Sequence, residues 1–534
     1  MTVMGLALTL LLIAVYLWAL EGIWRVPFRA LGVLVAGMTV HNLLSTLLLR
    51  LQTPPVLVRG VEAWWYGVLV VIGVQAIRRA ARARREQRMP RLVPLDFVAA
   101  AFAVLVLGYA ALPHSLVPER GNLNDTLVSL RAMLLLPTLY LFGRVFWTDR
   151  RDELLWVVRA TLGAGIVAGL FGVFELWFVP SRLWVDWGLA RFISRLGLST
   201  SGPGGLPATF FEPVGANLGL RRMVSTYLSP PALVDAGLVI APLAAAVLGP
   251  WRIEGLRRVF TWTALAASGV GMLLGVVHLA VVSVIVEFVL LALLLRRREV
   301  VISALAVGVG AALALLAYPG VGPLVDSRLD DVRPPAGYTL VRDAVQTAAW
   351  LGVPGLRPAG NRPRPPDTAS SGSLGQPSPA GQDASLGETV SAWRAGLGSI
   401  VTHPAGTGLG SEVARPGSPA SGESIFLRIA REIGVAGDVL YTLLYALVLA
   451  SGAIAYRRAH REPVASGFAL IPLVGGLALL PIALAGNVWG DLSVTFLFWW
   501  TAGMAASAWP GRVELPVADI QAAAAVPLDR GSRP

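Results

Sequence analysis

The chain is 534 residues long, 55% hydrophobic and only 14% charged, with a mean hydropathy of +0.66. An ordinary soluble domain is excluded, because the apolar residues come in runs of roughly 18–22, the length that crosses about 30 Å of hydrocarbon. The formal charge of +12 is carried by arginine without lysine, and cysteine is absent, which excludes disulfide, iron–sulfur and thiolate chemistry.

Met1–Leu20 has no basic leader and no small-residue cleavage site, so it predicts a retained first spanning helix. Further apolar runs follow at 30–49, 60–77, 92–112, 125–146, 154–179, 231–249, 259–276, 279–295, 300–318, 434–455, 466–485 and 492–509. The expected fold class is all-α, a polytopic integral membrane protein of about thirteen helices. Arginine marks every alternate connection: Arg25 and Arg29, Arg78 to Arg91, Arg150 and Arg151, Arg252 to Arg258, Arg296 to Arg298, and Arg457 to Arg461. Cytoplasmic loops carry that excess, which predicts an N-terminus outside and residues 510–534 as a cytoplasmic tail, in the cytoplasmic (inner) membrane. Helices 1–10 then occupy 1–318, with an outer loop at 180–230. A long outer loop covers 319–433, and helices 11–13 occupy 434–509.

Within the outer connections, residues 181–198 interleave Trp, Leu, Phe and Ile with Arg at near-helical spacing. This predicts a helix in the headgroup layer; 338–352 and 388–402 repeat the pattern more weakly. Residues 357–387, rich in Pro, Gly and Ser, cannot bury enough surface to order themselves and predict a flexible insert. No internal repeat of the kind used by inverted-repeat transporters is evident.

The chemistry concentrates between Trp393 and Gly437. A glycine-rich loop, His403 to Gly410, is followed by Glu423 in the expected first turn of a helix carrying Arg428, Arg431 and Glu432. There is no phosphate-binding G-x-x-x-x-G-K-[ST] and no dinucleotide fingerprint, and no nucleic-acid partner is expected. Bond formation on the outer face calls for a substrate that arrives already activated on a lipid, such as a polyprenyl diphosphate-linked oligosaccharide. Its diphosphate needs forked cationic donors, available outside at Arg120, Arg131, Arg221, Arg222, Arg394, Arg428 and Arg431. An acceptor hydroxyl needs a base, for which Glu423 is the candidate. Arg131 is pointed out by its place inside an apolar run, where an ionisable group is costly.

Plainer readings stand beside these. Glu423 can simply complement a helix dipole, Arg428 and Arg431 can form a solvated face, and Arg221 and Arg222 can anchor to lipid. Asp235 and Glu287, inside membrane runs, can pair with arginines. Gly406, Gly408 and Gly410 can form a backbone anion nest or a tight turn. His114, His278 and His403 match no metal spacing, so no metal and no cofactor is expected.

Glu423-Ser424, nine residues and then Gly434-x-x-Gly437 resembles the signature of the O-antigen ligase and O-antigen polymerase superfamily. His403 to Gly410 resembles that family's P-x-G-x-G loop. Arg221 to Pro231 resembles its Arg-x-x-x-S/T-x-x-x-P segment, and Ser129 to Arg131 its arginine near the outer end of an earlier helix. The resemblance covers roughly residues 95–510. It implies a GT-C-like, metal-independent inverting glycosyltransferase acting on polyprenyl diphosphate-linked oligosaccharide and a sugar acceptor at the bilayer. Taken with the residue reading above, it makes Glu423 the base and Arg131, Arg221, Arg222 and Arg428 the diphosphate-binding set, with Arg394, His403, Gly406 and Gly408 as loop contacts. Two departures matter. Glu423 stands where ligases have His, as in exopolysaccharide repeat-unit polymerases, and Val277-His278-Leu279 replaces an expected Ser-Arg. The alternative from another class is a transporter or flippase of lipid-linked sugars, using the same arginines without bond formation.

Overall fold

In a computed structural model of the chain, the residues described are 2–86, 92–117, 119–146, 150–195, 206–213, 219–248, 257–275, 277–296, 298, 300–303, 305–306, 309–310, 324–325, 386–412, 424–458 and 463–508. In chain order the helices are α1 (Val3–Arg25), α2 (Arg29–Arg50), α3 (Pro55–Glu62), α4 (Trp64–Arg85), α5 (Pro94–Ala111), α6 (Leu123–Val145), α7 (Arg151–Phe178), α8 (Ser181–Asp186), α9 (Leu189–Arg195), α10 (Pro230–Leu248), α11 (Arg258–Leu274) and α12 (His278–Leu295). They are followed by α13 (Leu386–Thr402), α14 (Ile425–Arg458), α15 (Pro463–Leu470), a π turn at Ile471–Gly475, α16 (Gly476–Ala485) and α17 (Leu492–Ala506). Among the described residues nine helices are long and apolar enough to cross a membrane, and three further apolar helices are shorter. The chain is therefore a multi-pass α-helical membrane protein. The expected tenth span, 300–318, falls mostly outside the described residues, as do 338–352, the insert 357–387 and the tail 510–534.

Local chemistry sets several helix ends. The side chains of Thr2, Asn122 and Asp491 each accept a hydrogen bond from a backbone N–H in the first turn of α1, α6 and α17, covering donors that a helix start leaves orphaned. Prolines 137, 242 and 481 sit inside α6, α10 and α16. Such breaks are tolerated in a spanning helix where neighbouring protein covers the freed carbonyls.

The centre of the bundle is α17, buried along its length from Ser493 to Ala506. It crosses α6 at Gly143 and Gly503. A Cβ on Gly143 would lie 2.0 Å from the Trp500 carbonyl oxygen, and one on Gly503 2.0 Å from that of Tyr140. Small residues at such a crossing let two backbones touch, and packing is what holds helices together in lipid. At the α5 and α6 ends below this crossing, Arg144 donates to both oxygens of Asp96, each at 3.0 Å.

Two expectations need correction. The headgroup helix expected over 181–198 is instead two short helices, α8 and α9, broken at Gly188 (φ +91°). Their apolar side chains Trp184, Leu189, Phe192 and Ile193 are buried against Leu48, Val58, Phe210 and Val224, so they pack on protein. The all-α expectation also misses a small antiparallel sheet: β1 (Phe211–Pro213), β2 (Gly219–Arg221) and β3 (Leu324–Val325), in that order. Leu220 pairs with both Glu212 and Leu324, which ties the 180–230 connection to the start of the 319–433 connection.

Candidate functional site

Helix α14 begins nine residues before the expected 434, and it is two helices joined at a kink. Ile433 (φ −123°, ψ 17°) and Gly434 (φ +76°, ψ 179°) leave helical geometry. The Gly434 conformation is one that only glycine adopts readily. The break strands the last carbonyls of the first half, and the glycine-rich loop covers them. Thr407 N–H donates to the Arg431 carbonyl at 2.6 Å and Gly408 N–H to that of Glu432 at 3.0 Å, while Val435 N–H donates back to Pro404 at 2.9 Å. Gly406, Gly408 and Gly410 all have positive φ. The amides of Gly408 and Gly410 are both spent on Glu432, and that of Gly406 on the His403 carbonyl. The loop grips the kink, and these amides are committed to acceptors within the protein.

Under this loop lies a buried polar cluster. Glu432 is fully buried. Its Oε1 accepts from Arg428 Nε (3.2 Å) and from Ser129 Oγ (3.1 Å), and its Oε2 from Gly410 N–H (3.3 Å). Arg428 Nη2 in turn donates to Ser129 Oγ at 3.0 Å. Among the described residues its remaining nitrogen, Nη1, meets no hydrogen-bond acceptor. Arg431 forks onto Glu412 at 3.0 and 3.1 Å. Arg428 and Arg431 are thus buried and paired, not a solvated face. Removing one partner of a charge pair so enclosed typically costs about 3–5 kcal/mol.

A further cation abuts the loop. Arg120 donates to Thr126 Oγ1 (3.1 Å) and to the carbonyls of Leu112 (2.7 Å) and Ala110 (3.0 Å), so its charge meets dipoles, not a carboxylate. Gly121 N–H donates to the Leu409 carbonyl at 3.2 Å, and Tyr109 OH to that of Ala405. The loop is therefore clamped from α5, α6 and α14 at once.

The remaining expected residues are spread more widely. Glu423 lies outside the described residues. Ser424, which follows it, donates from Oγ to the Ala483 carbonyl at 3.2 Å, and Ile425 N–H donates to Gly486 at 3.3 Å. Arg131 is exposed on the side of α6 away from Ser129, because two residues advance a helix by about 200°. Its Nη1 donates to Tyr66 OH at 2.7 Å, and its guanidinium lies 6.0 Å from the Trp65 ring centre. Arg221 is buried and forms an ion pair with Glu175 at 2.9 Å. Glu175 also accepts from the amides of Val224 (2.8 Å) and Ser225 (3.3 Å), organising the turn that leads into α10. Arg222 is likewise buried. Arg394, on α13, and His403 are exposed, the latter with Nδ1 3.0 Å from Thr402 Oγ1. Asp235 is buried in α10, and both oxygens of Glu287, buried in α12, have no partner.

The structure thus joins Ser129, Gly406, Gly408 and Arg428 in one unit, and it places Arg131 and Arg221 on other faces. Glu432 and Ser129 are the central pair that sequence reasoning left without a role. Their 303-residue separation hides the contact; the only local sign was an acid four residues after Arg428. Among the described residues no three His, Asp or Glu side chains are grouped as a metal site requires. No family model matches the chain, and none of the curated proteins matches it significantly.

Proposed function

We propose that the protein is a membrane glycosyltransferase of the O-antigen ligase and polymerase type, joining polyprenyl diphosphate-linked oligosaccharide to a sugar acceptor on the outer face of the cytoplasmic membrane. One observation carries the reading. Three segments singled out by the resemblance, far apart in sequence, meet in a single hydrogen-bonded cluster: Ser129 of α6, the 403–410 loop and the Arg428 helix. In this reading the fold is GT-C-like with about thirteen spans, its N-terminus outside and its tail in the cytoplasm.

Arg428, oriented by Glu432 and Ser129, offers Nη1 to the departing diphosphate, and Arg120 adds a positive charge beside the loop that pairs with no carboxylate among the described residues. Arg131, Arg221 and Arg222 are assigned to donor binding by the resemblance and by their expected place on the outer face, not by contact with this cluster. Glu423 takes the acceptor hydroxyl proton as that oxygen bonds to the anomeric carbon. The bond from that carbon to the diphosphate oxygen breaks in the same displacement, so the configuration inverts.

The test is transfer by purified protein in vesicles supplied with the lipid-linked glycan fraction of cells lacking it. Glu423→Gln is expected to lower turnover by about 10²–10⁴-fold, the usual contribution of a general base, and Glu423→Asp to retain some. Near-normal turnover in the Gln variant removes Glu423 from the mechanism. A transport reading has one observation of its own, the Glu287 carboxyl buried in the apolar helix α12 with no partner among the described residues. Movement of glycan lipid across vesicles without new glycosidic bonds would favour it.

A further inference from the structure

The connection between α16 and α17, residues 486–491, is short and closely held. Gly486 accepts from Ile425 N–H at the start of α14. Trp489 Nε1 donates to Tyr441 OH at 2.6 Å, and its ring packs against Phe498 and Trp499 at 5.0 and 5.4 Å. At the end of the connection Asp491 caps α17, its Oδ1 accepting from both the N–H and the Oγ of Ser493, each at 2.8 Å. Ser493 Oγ lies 3.5 Å from Tyr227 OH, which is itself 3.1 Å from Thr39 Oγ1. The Tyr227 carbonyl accepts from Asn42 at 2.7 Å. The connection is therefore walled by polar groups from α2, from the turn before α10 and from α17.

Two acceptors on this connection are left over. Asp491 Oδ2 and Asn487 Oδ1 are both buried and have no hydrogen-bond partner. An acceptor in that state carries its full desolvation penalty, and native proteins hold few such groups without a reason in ligand, water or catalysis. Burial also moves the Asp491 carboxyl up to about 6, against the opposing hydrogen bonds from Ser493 and from the Val494 amide. Both atoms can only accept, so what completes them must donate. A ligand rich in hydroxyl groups supplies such donors.

We propose that Asn487 and Asp491 form a hydroxyl-binding subsite for the acceptor glycan, each accepting one sugar O–H. The assignment rests on the glycosyl-transfer reading, since it places the acceptor beside Ser424 and hence at the chain position that follows the candidate base.

The test uses full-length protein in nanodiscs and compares binding of the lipid-linked glycan fraction with binding of bare polyprenyl diphosphate. Asn487→Leu is the informative variant. It removes an unsatisfied polar atom, so the melting midpoint is expected to hold or rise, whereas the preference for glycosylated over bare lipid falls about fivefold to tenfold. Asp491→Asn keeps the cap through its own Oδ1 and turns the free acceptor into a donor, and it is expected to lose the same preference. Bare-lipid affinity stays unchanged in both. An unaltered preference in Asn487→Leu, or a midpoint that drops with it, overturns the subsite. Wild-type transfer measured in parallel separates the two ideas. Transfer with no effect of either variant on glycan preference refutes the subsite alone, and glycan preference lost in the variants with no transfer by the wild type refutes the enzyme reading alone.

Discussion

Replacing Gly434 by alanine tests whether the kink organises the candidate site. At φ +76°, ψ 179° a side chain costs about 1–3 kcal/mol in backbone strain alone. The added Cβ would also lie 2.6 Å from the Pro404 carbonyl oxygen and 2.7 Å from the Ala405 carbonyl carbon, both backbone atoms that cannot swing aside. Relief requires the loop to move off the helix. That breaks the bonds from Thr407 to Arg431, Gly408 to Glu432 and Val435 to Pro404, each worth about 1 kcal/mol net. The total loss is about 4–6 kcal/mol, concentrated in the loop and the first half of α14. Gly398→Ala is the control: a Cβ there meets nothing within 4 Å, and alanine improves helix propensity by up to about 1 kcal/mol. Thermal unfolding of the two variants in one detergent is expected to show a clear drop for Gly434→Ala and none for Gly398→Ala. Coincident midpoints would refute the claim that the loop and kink form one rigid unit.

Glu432→Gln leaves Arg428 buried without its counter-ion and is expected to cost about 3–5 kcal/mol. The double change Arg428→Met with Glu432→Met is expected to recover most of that stability while transfer stays absent, which thermal melts and turnover measured together will decide. Arg131→Lys keeps the charge but loses the fork. A weakened affinity for polyprenyl diphosphate is expected, and unchanged affinity assigns Arg131 to packing against Trp65 and Tyr66. Asp491 is raised to about 6 by burial, so the folded state holds its proton more tightly than the unfolded chain does. Stability on this account falls as pH rises from about 4 to about 6; the difference between wild type and Asp491→Asn across that window is the measurement, and a flat difference removes the effect.

The spanning helices were legible because a run of apolar residues long enough to cross a bilayer has few other uses. Hydropathy does not tell which of them meet lipid. Residues 492–506 read like any other span, yet Trp499 and Trp500 are wholly enclosed by protein. The short strands carried no signal, since two or three residues cannot display an alternation. In the site, the positive-φ glycines announced an unusual loop, but its purpose depended on the kink at Gly434 and on carbonyls that only three dimensions expose. Arg131 and Ser129, two residues apart, were read together; helical geometry turns them to opposite sides. Arg428 was read as a diphosphate ligand with a solvated face as the plainer alternative; its partners, Ser129 and Glu432, become visible as a cluster only once α6 and α14 are packed.

The burial of α17 has a consequence for biogenesis. It is the last of the described helices to leave the ribosome, and α2, α6, α10 and α14 all pack against it. Until residue 506 has been synthesised, the helices already inserted surround an unfilled slot, and the flat face at Gly143 awaits Gly503. The bundle therefore cannot close in the order in which it is threaded into the bilayer. A ribosome stalled before residue 492 leaves the earlier described helices without the one they pack around.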